Sequence, residues 1–445
     1  METTETTTRP ETAQPGHEQS NRRSGGISGL IALLAGAHFS HHVLTALIVP
    51  LIPFIRDEFG LNYAQSGIVN SAFTIAYGIA QLPAGWLGDR VGPRFLLLVG
   101  ITGVAIAGAL VGVSPIFPLL LGGLVLMGIA GGGYHPSSSA VISRFVAPER
   151  RGRALGVHIV GGSSSHFLAP LIAAGMVSLV GWRGTFLSLS VPVALLGIAV
   201  FILIQRRILH ADTYMREQAV AGEADVTATG DAGAQSTAAR NHMGASRSQP
   251  RPFAVSRMTF FLILTGFIGA AAATVIPFIP LYLTDVRGVD DRLAAGFISI
   301  IFAAGFFAAP LGGWLSDTIG RVRVMVIIGL LAGPVLALII LAPFPFGMAA
   351  LLLLLGMVMF TKMPTAEAHI ASEVTEKHRT TVLGIYFFSG MEGSALLTPL
   401  LGAVIDRWGF NVGLLSMAGG LLSIVLVCAV ALFWLRRAAA ATRAA

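Results

Sequence analysis

The sequence contains a single cysteine, Cys428, inside its last apolar run. That excludes a disulfide within the chain and a cysteine-based metal site. Charge is also scarce, at 11% of residues. An average soluble chain carries about 25%, so an ordinary water-soluble fold is excluded. No P-loop, nucleophile–base set or metal motif is present. No enzyme activity, cofactor or metal is expected. The net charge of +7 is not gathered on one face or stripe, as nucleic-acid binding requires. Residues 1–26 have no apolar core ahead of Ile27, so no signal peptide is expected there.

What the chain does have is apolar length. It is 54% hydrophobic, with a mean hydropathy of +0.77. Roughly 20 apolar residues in a helix cross the ~30 Å hydrocarbon layer. A backbone in lipid must satisfy its own hydrogen bonds, so such runs are helices. Twelve are found, at about 27–52, 64–87, 95–113, 117–143, 154–179, 184–204, 258–283, 295–315, 323–342, 346–371, 382–405 and 411–435. The expected fold is an all-α polytopic membrane protein of 12 transmembrane helices in two six-helix halves, 27–204 and 258–435. Residues 1–26 and 436–445 are expected to be tails. The stretch 205–257 is rich in Ala, Gly, Ser and Gln and is expected to be a disordered linker.

Orientation follows from Lys and Arg, which favour the cytoplasmic side. With the N-terminus inside, 23 of the 29 lie in cytoplasmic segments. Five lie outside, Arg56, Arg183, Arg287, Arg292 and Arg407, and Lys362 lies within a span. Both termini are therefore expected in the cytoplasm, with the chain in the inner (plasma) membrane.

The two halves are copies. Gly85-Trp86-Leu87-Gly88-Asp89-Arg90-Val91-Gly92 returns 228 positions later as Gly313-Trp314-Leu315-Ser316-Asp317-Thr318-Ile319-Gly320. Leu155-Gly156 and Leu383-Gly384, His135-Pro136 and Met363-Pro364, and Gly181 and Gly409 keep the same offset. Halves repeated in this way pack around a central path and rock against each other.

Asp89 is an acid in a basic loop. The repeat places it near the start of span 11, around Thr380, where a helix N-terminus favours a carboxylate. Asp317 is expected to do the same near Arg153, at the start of span 5. Twelve spans in two halves, a long central loop and Gly-x-x-x-Asp-Arg-x-Gly after span 2 resemble the major facilitator superfamily. The resemblance covers residues 27–435 and implies transport by alternating access. It also implies a conformational latch formed by Gly85, Asp89, Arg90, Gly92 and Arg94, with a second copy at Gly313, Asp317, Gly320 and Arg321. Thr318 stands where the first copy has Arg90, so the second latch is expected to be weaker. Ser40-His41, Tyr134-His135-Pro136, Gly161-Gly162 and Ala169–Ala174 are similar to the fosmidomycin-resistance branch of drug exporters. Span 4 has no charged residue, unlike the many proton antiporters of the family that carry an Arg there.

Ionisable residues inside spans are costly and mark function. Spans 1, 4, 7 and 10 line the path in the resembled family. Lys362 in span 10 is the expected anchor for an anionic group, with His38, His42, Tyr134 and His135 completing the substrate site. Glu392 in span 11 and His166 in span 5 are the expected proton carriers, because carboxyl and imidazole groups can exchange a proton each cycle. No His/Asp/Glu set has firm metal-ligand spacing. The expected activity is secondary transport of a small anionic or amphipathic organic solute, coupled to protons, with export favoured. The alternative is proton-linked uptake of a carboxylate nutrient. The expected partners are the substrate, protons and the bilayer, and the expected state is a monomer.

Overall fold

A computed structural model describes the backbone of residues 15–146, 148–228, 255–374 and 376–444. Every regular element among these is a helix. The first crossing joins α1 (Pro15–Thr45) to α2 (Ile48–Phe59). Pro50 has no N–H for the Ala46 carbonyl, so the helix breaks there. The second crossing, α3 (Tyr63–Val91), opens on a capping box. Asn62 accepts from the Gln65 N–H, and the Gln65 side chain accepts from the Asn62 N–H, which satisfies two exposed donors. α4 (Pro93–Leu98), a π turn and α5 (Val104–Gly112) make the third crossing, and α6 (Phe117–Gly131) with α7 (Tyr134–Phe145) the fourth. α8 (Pro148–Ala228) contains the fifth and sixth.

The second half repeats this order. α9 (Val255–Val275) and α10 (Phe278–Asp285) make the seventh crossing, and α11 (Asp291–Ala303) and α12 (Gly305–Ile319) the eighth. α13 (Arg321–Leu338) and α14 (Phe346–Glu373) are the ninth and tenth, and α15 (Glu376–Ala444) contains the last two.

Nine stretches among the described residues are long and apolar enough to cross a membrane. Two are double length, 154–206 with 53 residues and 384–438 with 55. At 1.5 Å per residue each would run about 80 Å, far beyond the ~30 Å of hydrocarbon. Each turns instead at a glycine of positive φ, Gly181 at 69° and Gly409 at 83°. Both arms of each, together with the more polar α3, complete the expected twelve.

The duplication is written into the backbone. The positive-φ glycines among the described residues are Gly60, Gly92, Gly181, Gly288, Gly320 and Gly409. They fall into three pairs, 60/288, 92/320 and 181/409, each separated by 228. A residue with a Cβ is strained in this region, so both copies keep glycine at the same three turns.

Each half has its own apolar core. One buries residues between Leu30 and Ile204. The other buries residues between Met258 and Leu432 and takes in Ile52 from the first half. Two bonds join the halves in matching places. Ser71 Oγ donates to the Ala395 carbonyl at 2.6 Å, and Ser299 Oγ to the Phe167 carbonyl at 2.7 Å. Donors and acceptors are both 228 apart, so the halves meet across a pseudo-two-fold axis. α1 begins inside the expected tail, and α8 runs on into the expected linker. Residues 1–14 and 229–254 of those segments lie outside the described residues.

Candidate functional site

The first half gathers a set of stacked rings. His38 and His42 lie one helical turn apart on α1 and so share a face. His38 stacks on His158 of α8, with centroids 4.3 Å apart, and donates from Nδ1 to the His158 carbonyl at 2.8 Å. His158 donates from its own Nδ1 to the Leu34 carbonyl at 3.0 Å, and its Nε2 is buried with no hydrogen-bond partner among the described residues. His166 donates from Nδ1 to the Gly162 carbonyl at 2.9 Å. Its ring lies 4.6 Å from His42 and 5.2 Å from Phe302 of the other half.

A carbonyl only accepts, so each of these Nδ1 atoms carries the proton of the neutral ring. Nε2 is then a bare lone pair on His38, His158 and His166. Thr45 Oγ1 donates to the His42 carbonyl at 3.3 Å and lies 3.4 Å from His42 Nδ1. That geometry places the proton of His42 on Nδ1 as well. Nε2 of His42 lies 3.3 Å from Nε2 of His135. His41 is different, since Gly100 O accepts from its Nδ1 at 2.8 Å and Tyr77 OH lies 3.3 Å from its Nε2. Both nitrogens of His41 are satisfied, so it is a packing residue. Tyr134, expected at the substrate, is fully buried against His41, and its hydroxyl donates to the Leu34 carbonyl at 3.3 Å. It packs inside the first half.

The second half answers with charge. The offset of 228 matches Tyr134 with Lys362, His158 with Tyr386 and Gly162 with Gly390, while in spans 1 and 7 the repeated prolines Pro50/Pro277 and Pro53/Pro280 run at 227, which matches His42 with Gly269. Lys362 Nζ sits 5.2 Å from the centre of the Tyr386 ring, within reach of a cation–π attraction. A Cβ built on Gly269 would run into Nζ, and one on Gly390 would lie 3.8 Å from it. The missing side chain at position 269 makes room for the ammonium. Among the described residues Lys362 has no carboxylate within salt-bridge distance. Glu367 Oε1 and Glu392 Oε1 are buried without hydrogen-bond partners among the described residues. Glu392 points across the seam, its Oε1 pressed against Gly78 of α3. It therefore lies between the halves and is not paired with Lys362.

Charge absent from the sequence-derived site joins the two halves at one end. Arg56 binds Asp285 through two N–H groups, and the Tyr63 hydroxyl donates to Asp285 at 2.7 Å. Asp406 accepts from the Tyr63 and Ala64 N–H groups at 2.8 and 2.9 Å, capping α3 from the opposite half. The clue was faint: Asp57 and Asp285 are 228 apart, and both hold Arg56.

At the opposite end, Gly92 and Gly320 turn the chain with φ of 88° and 95°. Arg90 lies over the Trp86 ring at 4.0 Å. Arg321 donates to the Ala368 carbonyl at 2.9 Å and lies 3.8 Å from Asp317. That ties the second motif to its own half. The side chains of Asp89, Arg153 and Thr380 lie outside the described residues, and with them the expected Asp89–Thr380 and Asp317–Arg153 approaches.

Two pseudo-symmetric six-helix halves, with Gly-x-x-x-Asp turns in both, match one known pattern. The Major Facilitator Superfamily profile covers residues 34–391 and 261–445. The chain belongs to the Major Facilitator Superfamily. Among its facilitator relatives is a probable L-galactonate transporter of Escherichia coli (strain K12), 28% identical over 59% of this chain and 55% of that protein. The probable sulfoacetate transporter SauU of Cupriavidus necator is 25% identical over 86% of this chain and 87% of its own. Multidrug resistance protein MdtG of Dickeya zeae is 27% identical over 88% and 90%. Among solved facilitators, a bacterial homologue of the lysosomal transporter Spinster, inward-facing and occupied, superposes with a TM-score of 0.69 at 17% identity, covering 93% of this chain and 97% of that one. The peptide transporter POT in complex with sulfate gives 0.70 at 15%, covering 90% and 94%. Such identities show a shared fold. The chain is thus a multi-pass secondary transporter of small solutes and not an enzyme.

Proposed function

We propose that this protein moves a small organic anion across the plasma membrane by alternating access, with both termini in the cytoplasm and protons as the coupling ion. One observation carries the substrate class. Lys362 holds an ammonium in a recess made by Gly269, against Tyr386, with no carboxylate within salt-bridge distance among the described residues. A buried cation with Glu367 near enough to act through space but with no carboxylate in contact is suited to a carboxylate or sulfonate arriving from outside the protein. The names of two relatives, for galactonate and sulfoacetate, carry the same chemistry. His42, His135 and His166 face Lys362's half from the first half as polar contacts for the rest of the solute.

Glu392 is the proposed proton carrier. Its unpartnered Oε1 lies on the α3–α15 seam, where a change of charge acts on how the halves meet. The loops around Asp89 and Asp317 are the proposed latch of the opposite conformation, and the chain is proposed to work as a monomer. With the N-terminus inside, the Arg56–Asp285 end, where the halves are bonded together, is the external one.

Export follows from the fosmidomycin-resistance likeness and from the multidrug relative. Proton-linked uptake is the second reading, favoured by the galactonate and sulfoacetate relatives. A thermal-shift screen of the purified protein against organic acids tests the anchor. Acids that stabilise the wild type and leave Lys362→Ala unmoved support it, and equal stabilisation of both refutes it. Counterflow in right-side-out and everted vesicles, with and without a proton gradient, separates export from uptake. Transport indifferent to the gradient refutes the coupling.

A further inference from the structure

We propose that His38, His42 and His135 form a binding site for a divalent transition cation of the zinc class, within the first half. The proposal stands apart from the identity of the transported solute.

The three residues come from two crossings, the C-terminal end of α1 and the first turn of α7. One nitrogen from each lies within 4.8 Å of the others. The nearest pair, His42 Nε2 and His135 Nε2, is 3.3 Å apart. Tetrahedral zinc holds imidazole nitrogens at about 2.0–2.1 Å, which puts neighbouring ligand atoms roughly 3.3–3.4 Å from each other. His42 and His135 already stand at that spacing. The nitrogen of His38 needs to approach by about 1.5 Å, a small side-chain adjustment on the scale of rotamer wells.

Protonation points the same way. His38 gives its Nδ1 proton to the His158 carbonyl, and His42 has Thr45 Oγ1 as the acceptor for its own. Metal-bound histidines characteristically donate their second nitrogen to an oxygen in this manner, which fixes the tautomer and aims the other lone pair. His158 and His166, packed around the same cluster, are held through Nδ1 as well. The ring N–H groups of this neighbourhood are therefore already committed to oxygens while the Nε2 lone pairs are not, and one of them, His158 Nε2, is buried bare among the described residues. A cation supplies what the lone pairs lack.

The donor set selects the ion. It has imidazole nitrogen without thiolate or carboxylate, which suits Zn²⁺, Ni²⁺, Co²⁺ and Cu²⁺. Mg²⁺ and Ca²⁺ require oxygen ligands. Three protein ligands leave the fourth tetrahedral position to water or to an anionic oxygen. All three histidines belong to one half, so the ion would ride with that half as the two rock.

The test is calorimetric titration of the purified, tag-free full chain with ZnCl₂, with MgCl₂ as control. The expected result is one zinc site per chain and none for magnesium. His42→Gln and His135→Gln should each weaken that site by roughly 100-fold or more, since even outer-shell changes cost 10–100-fold. His369→Gln, whose ring packs on Phe261 in the other half, should leave it unchanged. The wild type loaded with Co²⁺ should show the visible absorption of a tetrahedral nitrogen site, a measurement that stands if a variant fails to fold. Absence of both zinc heat and cobalt bands in the wild type overturns the proposal and leaves His42 and His135 as a pair sharing one N–H. Equal zinc affinity in His135→Gln overturns it too.

Discussion

Asp285 is the acceptor on which the closed end turns, so Asp285→Asn is the most direct perturbation of the conformational balance. In the wild type Asp285 receives two N–H groups from Arg56 and the Tyr63 hydroxyl, and both of the other residues belong to the first half. A hydrogen bond to a charged group contributes about 1.5–3 kcal/mol. The side chains of Arg56 and Asp285 are 15% and 23% exposed. Water therefore screens them in part, and fully exposed pairs fall to about 0.2–1 kcal/mol. About 1–2 kcal/mol remains, a factor of roughly 5–30 in a two-state equilibrium. Asparagine keeps an acceptor and the shape but removes the charge, so the closed end should open more often by that factor. Spin labels at Val113→Cys and Leu341→Cys report the change. These positions are 57% and 74% exposed, are 228 apart, and sit at the closed end in opposite halves. The native Cys428 is buried and leaves a clean background. Pulsed dipolar spectroscopy should show a longer-distance population growing in Asp285→Asn. An unchanged distance distribution refutes the claim that this carboxylate holds the seam.

Two glycines make a contrasting pair. In Gly356→Ala the new Cβ meets the Ile301 carbonyl within one half, so overpacking should cost about 1–3 kcal/mol and show as a lower Tm. In Gly402→Ala it meets the backbone of Tyr63 and Ala64 across the seam, where the halves can yield by rocking. Its Tm should hold while the Val113–Leu341 distance lengthens, and a large Tm loss would contradict this. Gly269→Ala places a methyl against Lys362 Nζ, the free end of a flexible chain that can move aside. The protein should fold normally, and thermal shifts with organic acids should shrink; undiminished shifts would detach the recess from binding. Ser71→Ala and Ser299→Ala remove matching bonds between the halves. Each should weaken the seam by about 0.5–1.5 kcal/mol, and the measured label distance should move by similar amounts in the two variants.

The crossings and their duplication were legible because lipid leaves the backbone few choices. An apolar run must be helical, and a tight turn must hold glycine in both copies. Gly92, Gly181 and their partners were readable from their repetition alone. The distribution of bonds was not. Tyr134 and His135 are neighbours in sequence, yet one is buried in packing while the other stands 3.3 Å from His42. Helical phase decides that, and a sequence hides phase wherever helices break, as here at Gly132 and Gly133. The grouping of three histidines was hidden for the same reason. His38 and His42 show their spacing on one helix, but His135 joins them only through the packing of α7 beside α1. Arg56 and Asp285, 229 positions apart, gave no local signal at all.

Where the first half has Tyr134 and His42, the second has Lys362 and Gly269. The two differences fit together in space. An ammonium placed against an imidazole at position 269 would have no room. The pair of differences puts a charged recess in the second half where the first has rings. The first half kept its rings and gathered nitrogen lone pairs beside them. The two halves therefore differ in kind. One offers a cation to an anion, and the other offers lone pairs to a cation or to donor groups. If the proposed function holds, a solute carrying an acid at one end and hydroxyl donors at the other is matched by that asymmetry, and a purely apolar solute is not.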